Sequence, residues 1–241
     1  MKPVFSILHA SLGRPEKAFA AMIDWIAKSN YPDLVEYIFA LNADDPTAHE
    51  LINKLVPGRL LGERVHVVQD QFSGSAAAWD AAAKIAKGDL LIQAQDDVEP
   101  PGLWASGLMD VLLKEVGGNW RNEPVVIRVS DGYRQDGLMC TAIMTMARVR
   151  QEGHFIFPGY LSVFSDDEVT FRAMRDSRMG ICKLIDARDL VFRHRHHYHD
   201  KSVPFDATYS KENSAEAYIH GEKLFFARNP EARTDGIITW H

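Results

Sequence analysis

Short apolar runs and longer amphipathic stretches alternate along the first half of the chain. Residues 4–8 form a β pattern that ends in the polar loop 9–15, where Pro15 is placed to open a helix. Ala18, Met22, Trp25 and Ile26 then keep helical spacing, which carries the helix to about Ser29. A second strand over 35–41 ends in the loop 42–46, and a helix follows to about Leu55. The third strand, 65–68, leads into an alanine-rich helix over 74–86. The fourth, 90–92, ends at 95–101 before a helix from 103 to 116.

The second half is less regular. Residues 125–129 and 139–145 read as strands, with a turn at Asp131-Gly132. Residues 165–176 read as a helix, 190–192 as a short strand, and 213–228 as a last helix. Alternating β and α elements predict an α/β fold with a mostly parallel central sheet flanked by helices and a smaller irregular region after it. In such sheets ligands bind beyond the carboxyl ends of the strands. The four polar loops of the first half all leave strand ends, so they should converge on one edge.

Composition narrows the function. The chain has 241 residues, is 46% hydrophobic and 25% charged, and carries a net charge of −6. That is enough apolar material for a core, and it lacks the basic excess that nucleic-acid binding requires. No apolar run approaches the ~18 residues of a membrane helix. The N-terminus carries no leader pattern, and the two cysteines, Cys140 and Cys182, form no metal or disulfide motif, so a cytoplasmic protein is expected. The glycine signatures of dinucleotide enzymes and P-loop NTPases are absent, as are the zinc helix and the serine-hydrolase elbow.

The strongest local signal is Gln95-Asp96-Asp97 after an apolar strand. Adjacent carboxylates at a buried strand end repel unless a cation sits beside them, and a divalent ion bridging Asp to a diphosphate would relieve that repulsion. The plainer alternative is a solvated acidic turn. Downstream, Ser165-x-x-Glu168 fits a capping box, which would place Asp166 and Asp167 at the positive end of a helix. His194, His196, His197 and His199 form the densest histidine patch. In an extended segment 194 and 196 share one face, so at most one or two reach a common ion.

Taken in order, these segments resemble the GT-A glycosyltransferases of the family 2 type. The loop 9–15, the loop 42–45, the run from Gly74 through Gly88-Asp89 to Asp97, the acidic stretch 162–168 followed by Phe171-Arg172-Ala173, and the late histidines carry the resemblance. It implies a GT-A fold over 1–241, with a nucleotide-sugar half (1–116) and an acceptor half with the C-terminal helix (117–241). It also implies a nucleoside-diphosphate-sugar donor, a carbohydrate or other hydroxyl-bearing acceptor, a divalent metal (Mn²⁺ or Mg²⁺), and transfer with inversion. By this resemblance Ala10, Ser11, Arg14, Asn42, Asp44, Gly74, Gln95 and Asp96 contact the donor. Asp97, with His196 or His194, holds the metal, and Asp166 or Asp167 is the catalytic base: spacing back from Arg172 favours Asp166, and counting from the acidic pair favours Asp167.

The family's first acid is here the amide Gln95, which contributes no charge. Trp79-Asp80 stand where the family often has Asn in the alanine-rich helix. Asp45, ahead of Pro46, reads as a helix cap, which leaves Asp44 for the base or ribose. The aromatics of 157–160 and the helix after Asn213 are expected to shape the acceptor site. A catalytically inactive nucleotide-sugar-binding module, or a metal-dependent hydrolase or nucleotidyltransferase, would use the same acidic edge.

Overall fold

Strand β1 (Phe5–Ser11) lies at the centre of the sheet, parallel to β2 (Val35–Asn42) on one side and β4 (Leu90–Ala94) on the other. β3 (Val65–Asp70) extends the parallel array beyond β2. On the far side, β7 (Ile143–Thr145) pairs antiparallel with both β4 and β6 (Val125–Ser130), and β8 (Lys183–Val191) closes the edge parallel to β6. The order is β3-β2-β1-β4-β7-β6-β8. This computed structural model describes residues 2–55 and 64–234.

The period-two alternation of the strands sorts their side chains into two cores. Phe5, Ile7, Tyr37 and Phe39 face helices α1 (Pro15–Ala27), α2 (Ala48–Leu55) and α4 (Trp104–Glu115). Trp104 anchors that layer, edge-on to both Phe5 and Trp25 at centroid distances of 5.3 and 5.5 Å. Leu8, Ile38, Ala40 and Leu91 face the opposite way, against α3 (Ser75–Ile85), α6 (Ser165–Arg178) and α8 (Ala215–Arg228). Each fully buried large side chain contributes about 1.5–3 kcal/mol over its exposed state.

A buried polar knot fixes the start of β4. The Glu36 carboxylate accepts from Ser6 Oγ at 2.5 Å and from the backbone N–H groups of Lys87 and Gly88 at 2.5 and 2.9 Å. A Cβ at Gly88 would sit 2.4 Å from Ser6 Oγ, so this close approach requires glycine. Asp89 beside it pairs with Lys2 and Arg121. The Gly-Asp pair is thus placed by the fold's own bonding.

Several elements differ from the sequence expectation. The strand expected over 139–145 is only β7. Before it, the N–H of Met139 donates to Thr170 Oγ1 and that of Ala142 to Gln93 Oε1, so side chains replace ladder partners. The strand expected at 190–192 is the end of the longer β8, whose exposed residues Lys183, Asp186, Arg188 and Asp189 mask its alternation. Two short helices were not expected, α5 (Met146–Glu152) and α7 (Ala207–Glu212). A second, two-stranded ribbon joins β5 (Val98–Glu99) to β9 (Arg193–His194) in antiparallel register. No described helix is long and apolar enough to cross a membrane.

Candidate active site

The carboxyl ends of β1, β2 and β4 open into a cavity of about 670 Å³. The loops expected to converge there do so. Ala10, Ser11 and Arg14 come from the end of β1 and the loop after it, and Asn42 from the end of β2. Gly74 lies at the start of α3, and Gln95, Asp96 and Asp97 follow β4. From the second half come Asp166, Asp167, His194 and His196. Asp44 is exposed and stands outside these walls. Its neighbour Asp45 turns inward instead. Asp45 is not the cap expected, since α2 begins only at Ala48; it accepts from the N–H and hydroxyl of Thr47 at 2.9 and 2.8 Å, an Asx turn ahead of the helix, and from the N–H of Gly13 at 2.8 Å.

The two adjacent acids have separate environments. Asp96 is turned toward the protein, its side chain 4% exposed, and bonds His9 Nε2 at 2.9 Å while Arg14 lies 3.8 Å away. His9 is held in turn by Tyr37 Oη at 2.6 Å. Asp97 faces His194 Nε2 at 3.4 Å. The β5–β9 ribbon sets this contact: Val98 opposes His194, and the N–H of Arg195 donates to Asp97 O at 2.8 Å. Burial pushes the Asp97 carboxyl up, but the charge and hydrogen bond of His194, with Arg14 and His196 nearby, together outweigh it, and Asp97 lies below its ordinary value. His194 responds in the opposite sense: burial disfavours its proton, and Asp97 holds it above the usual range.

His196 is pushed down to about 4 by burial and by the neighbouring His194, and it contacts Tyr209 Oη at 2.9 Å through Nε2. The chain turns after His196, with the His199 N–H donating to His196 O. That turn breaks the strand alternation expected over the histidine patch. His199 joins the cavity wall, while His197 Nδ1 contacts Val203 O at 2.6 Å.

The acidic stretch that opens α6 is not a capping box. The residue ahead of the helix is Phe164, in a left-handed conformation (φ 69°), and Ser165 Oγ donates to Ser162 O at 2.6 Å. Glu168 is drawn away by Arg228 and Arg172, at 3.0 and 3.2 Å. Asp166 and Asp167 therefore sit in the first turn, where the helix dipole favours negative charge. Asp166 nonetheless titrates above its ordinary value, raised by burial and by the Asp167 charge.

A polar strap runs from Arg14 to α7 along the cavity wall. Arg14 makes a bidentate contact to Asp206, which caps α7 by accepting from the Tyr209 N–H at 2.9 Å. Thr208 Oγ1 donates to Leu12 O at 3.0 Å. Asp206 is held down to about 2: burial raises it, and the Arg14 contact and the Tyr209 amide outweigh that. Glu212, at the end of α7, is pushed up to about 7 by burial and by the acids around it, with Arg14 pulling the other way. The sequence reading passed over Asp206, Tyr209 and Glu212. An Asp three residues before an aromatic at a helix start was the available signal.

No family model matches the chain, and no curated protein matches it in sequence. Solved structures do match. TarS from S. aureus superposes with a TM-score of 0.61 at 13% identity, covering 94% of this chain and 43% of that one. A TarS 1–349 structure in complex with UDP-GlcNAc gives 0.57 at 14%, over 97% and 74%. The mannosyltransferase PcManGT from Pyrobaculum calidifontis, in complex with GDP-Man and Mn²⁺, gives 0.64 at 13%, over 98% and 66%. The chain has the GT-A fold of nucleotide-sugar transferases. It spans under half of the first TarS chain and 66% of PcManGT.

Within this GT-A fold the donor set for a metal is partial. Among the described residues no group of three His, Cys, Asp or Glu side chains stands ready to hold an ion. Asp97 and His194 offer an oxygen and a nitrogen on the cavity wall, and the proton favoured on His194 marks a place where positive charge is stabilised. Two protein ligands and an open face fit an ion that takes its remaining oxygens from a diphosphate. Trp79 lines the cavity and donates to Ala94 O at 3.0 Å, while Asp80 turns away to accept the Phe155 N–H. The 157–160 segment is part of the core: Tyr160 is buried and Phe157 lies under Arg228. It is absent from the cavity wall.

Proposed function

We propose that this protein is a glycosyltransferase that moves a sugar from a nucleoside-diphosphate sugar to an acceptor hydroxyl, with a divalent metal and inversion at the anomeric carbon. One observation carries the reading. The acidic turn 95–97, the β9 histidines and the first turn of α6 come from distant parts of the chain and line one cavity at the carboxyl edge of the sheet. In this reading the whole chain, 1–241, is one domain, with 1–116 as the nucleotide half and 117–241 as the acceptor half. A single sheet drawing strands from both halves supports that, although Met1, 56–63 and 235–241 lie outside the described residues. We place it in the cytoplasm, in keeping with its two free cysteines.

Arg14 binds the diphosphate, exchanging its carboxylate partner for phosphate oxygens of similar geometry. Asn42 and Gln95 contact the nucleoside, and the small Ala10, Ser11 and Gly74 let the donor approach the sheet edge. Asp96, braced by His9, orients Arg14. Mn²⁺ or Mg²⁺ bound by Asp97 with His194 or His196 would neutralise charge growing on the leaving diphosphate, and imidazole ligation favours Mn²⁺. Asp166 takes the proton of the acceptor hydroxyl, with Asp167 behind it keeping its affinity for that proton high. One base serving one displacement inverts the reacting carbon.

Thermal unfolding against UDP, GDP and CDP, with and without Mn²⁺, tests the donor class. A nucleotide at about 100 times its Kd should add roughly 2.7 kcal/mol. No metal-dependent response to any of the three would sink the reading.

A further inference from the structure

Aromatic rings exposed on a cavity wall offer flat apolar faces to a ligand. Two tyrosines that the mechanism does not use stand there. Tyr198, in the turn after β9, is 59% exposed, and Tyr218, on α8, is 44% exposed, yet both line the cavity. Each is tied to a different part of the machinery. The Tyr198 ring stacks on His196 at 5.4 Å with 29° between planes. The Tyr218 ring packs edge-on against Phe164, the residue two before Asp166, at 6.3 Å. One aromatic therefore stands beside the histidines and the other beside the base.

We propose that Tyr198 and Tyr218 form the acceptor subsite and that the acceptor is an uncharged carbohydrate, held by ring stacking. This rests on the glycosyl-transfer reading above. Three features select that class. Aromatic faces suit the C–H faces of a sugar ring, and the phenol hydroxyls serve its oxygens. The cavity wall also carries Asn213 and Glu216, whose polar groups can pair with sugar hydroxyls. Next to Tyr218 the cavity carries Asp166 and Asp167, and its Arg134 is already paired to Asp136 at 2.6 Å, so a phosphorylated or acidic acceptor would meet repulsion on that side.

Saturation-transfer NMR on the full chain, with Mn²⁺ and whichever of UDP or GDP stabilises it, tests this using maltose, cellobiose and glucose 6-phosphate. Transfer to the ring protons of a neutral disaccharide is expected, with none to glucose 6-phosphate. Tyr198→Ala and Tyr218→Ala should each weaken saccharide binding about 2- to 10-fold more than they weaken nucleotide binding. Tyr198→Phe and Tyr218→Phe should keep most of it, which separates the ring from its hydroxyl. If nucleotide binds but neither disaccharide does, or if glucose 6-phosphate binds better, the acceptor assignment is wrong while the donor reading stands. If no nucleotide binds with Mn²⁺, the glycosyl-transfer reading itself fails. Equal saccharide affinity in the wild type and both alanine variants also overturns the tyrosine subsite.

Discussion

Replacing Gly74 by alanine puts backbone against backbone. A β-carbon there lies 1.9 Å from Leu161 O and 2.5 Å from its carbonyl carbon and Cα. Ordinary contact begins near 3.4 Å, so the 161 segment must retreat by about 1.5 Å. No rotamer change relieves a clash between main chains. The retreat breaks the Ser75 N–H···O=C Leu161 bond of 2.9 Å, which joins α3 to the segment leading into α6. Overpacking costs about 1–3 kcal/mol and the lost hydrogen bond about 1 kcal/mol more. For a chain of this length that corresponds to a fall in Tm of roughly 5–15 °C. Differential scanning calorimetry reads it directly. Gly118→Ala is the control: its β-carbon meets nothing within 4 Å, and it should stay within about 0.5 kcal/mol of the parent. The retreat also moves the turn before Asp166, so Gly74→Ala should lose turnover at temperatures where it is fully folded. A Gly74→Ala variant that melts with Gly118→Ala would refute the close-approach argument.

Asp166→Asn should lower turnover by about 10²–10⁴ while nucleotide affinity in titration calorimetry holds, and full turnover in both Asp166→Asn and Asp167→Asn would exclude either as base. Because Asp166 titrates above its ordinary value, the parent rate should fall as pH drops through that raised pKa, and Asp166→Asn should lose this acid limb. Asp97→Ala and His194→Ala should each abolish the Mn²⁺-dependent part of nucleotide stabilisation in thermal shift, leaving any metal-free part intact. Asp206 is depressed to about 2 against an ordinary 3.8, so its contribution is present above about pH 4 and lost as pH falls toward 2. With a side chain 30% exposed, that contribution is about 1–2 kcal/mol. Asp206→Asn should remove this part of the acid dependence in urea unfolding.

The parallel half of the sheet was readable because its strands are short apolar runs with turn signals behind them, and α1 announces itself by the spacing of Ala18, Met22 and Trp25. The convergence of 95–97 with 166–167 followed from topology together with the family resemblance. What escaped was set by contacts distant in sequence. The β5–β9 ribbon is two residues per strand and carries no periodicity. Glu168 looked like a capping partner until Arg228, sixty residues on, claimed it. Helix α7 is short and polar, so Asp206 and Glu212 gave no hydrophobic pattern to follow, and Asp44 and Asp45 differ only in which way the chain turns them.

The ribbon that sets Asp97 against His194 is made of main-chain bonds, indifferent to what the side chains are. The position of residue 194 is thereby separated from its chemistry. A change there to Asp, Asn or Gln would reach into the same space from the same backbone, without the loop having to be rebuilt. Under the metal role proposed for residue 194, preference between a harder and a softer cation becomes a matter of one codon while the sheet edge stays as it is.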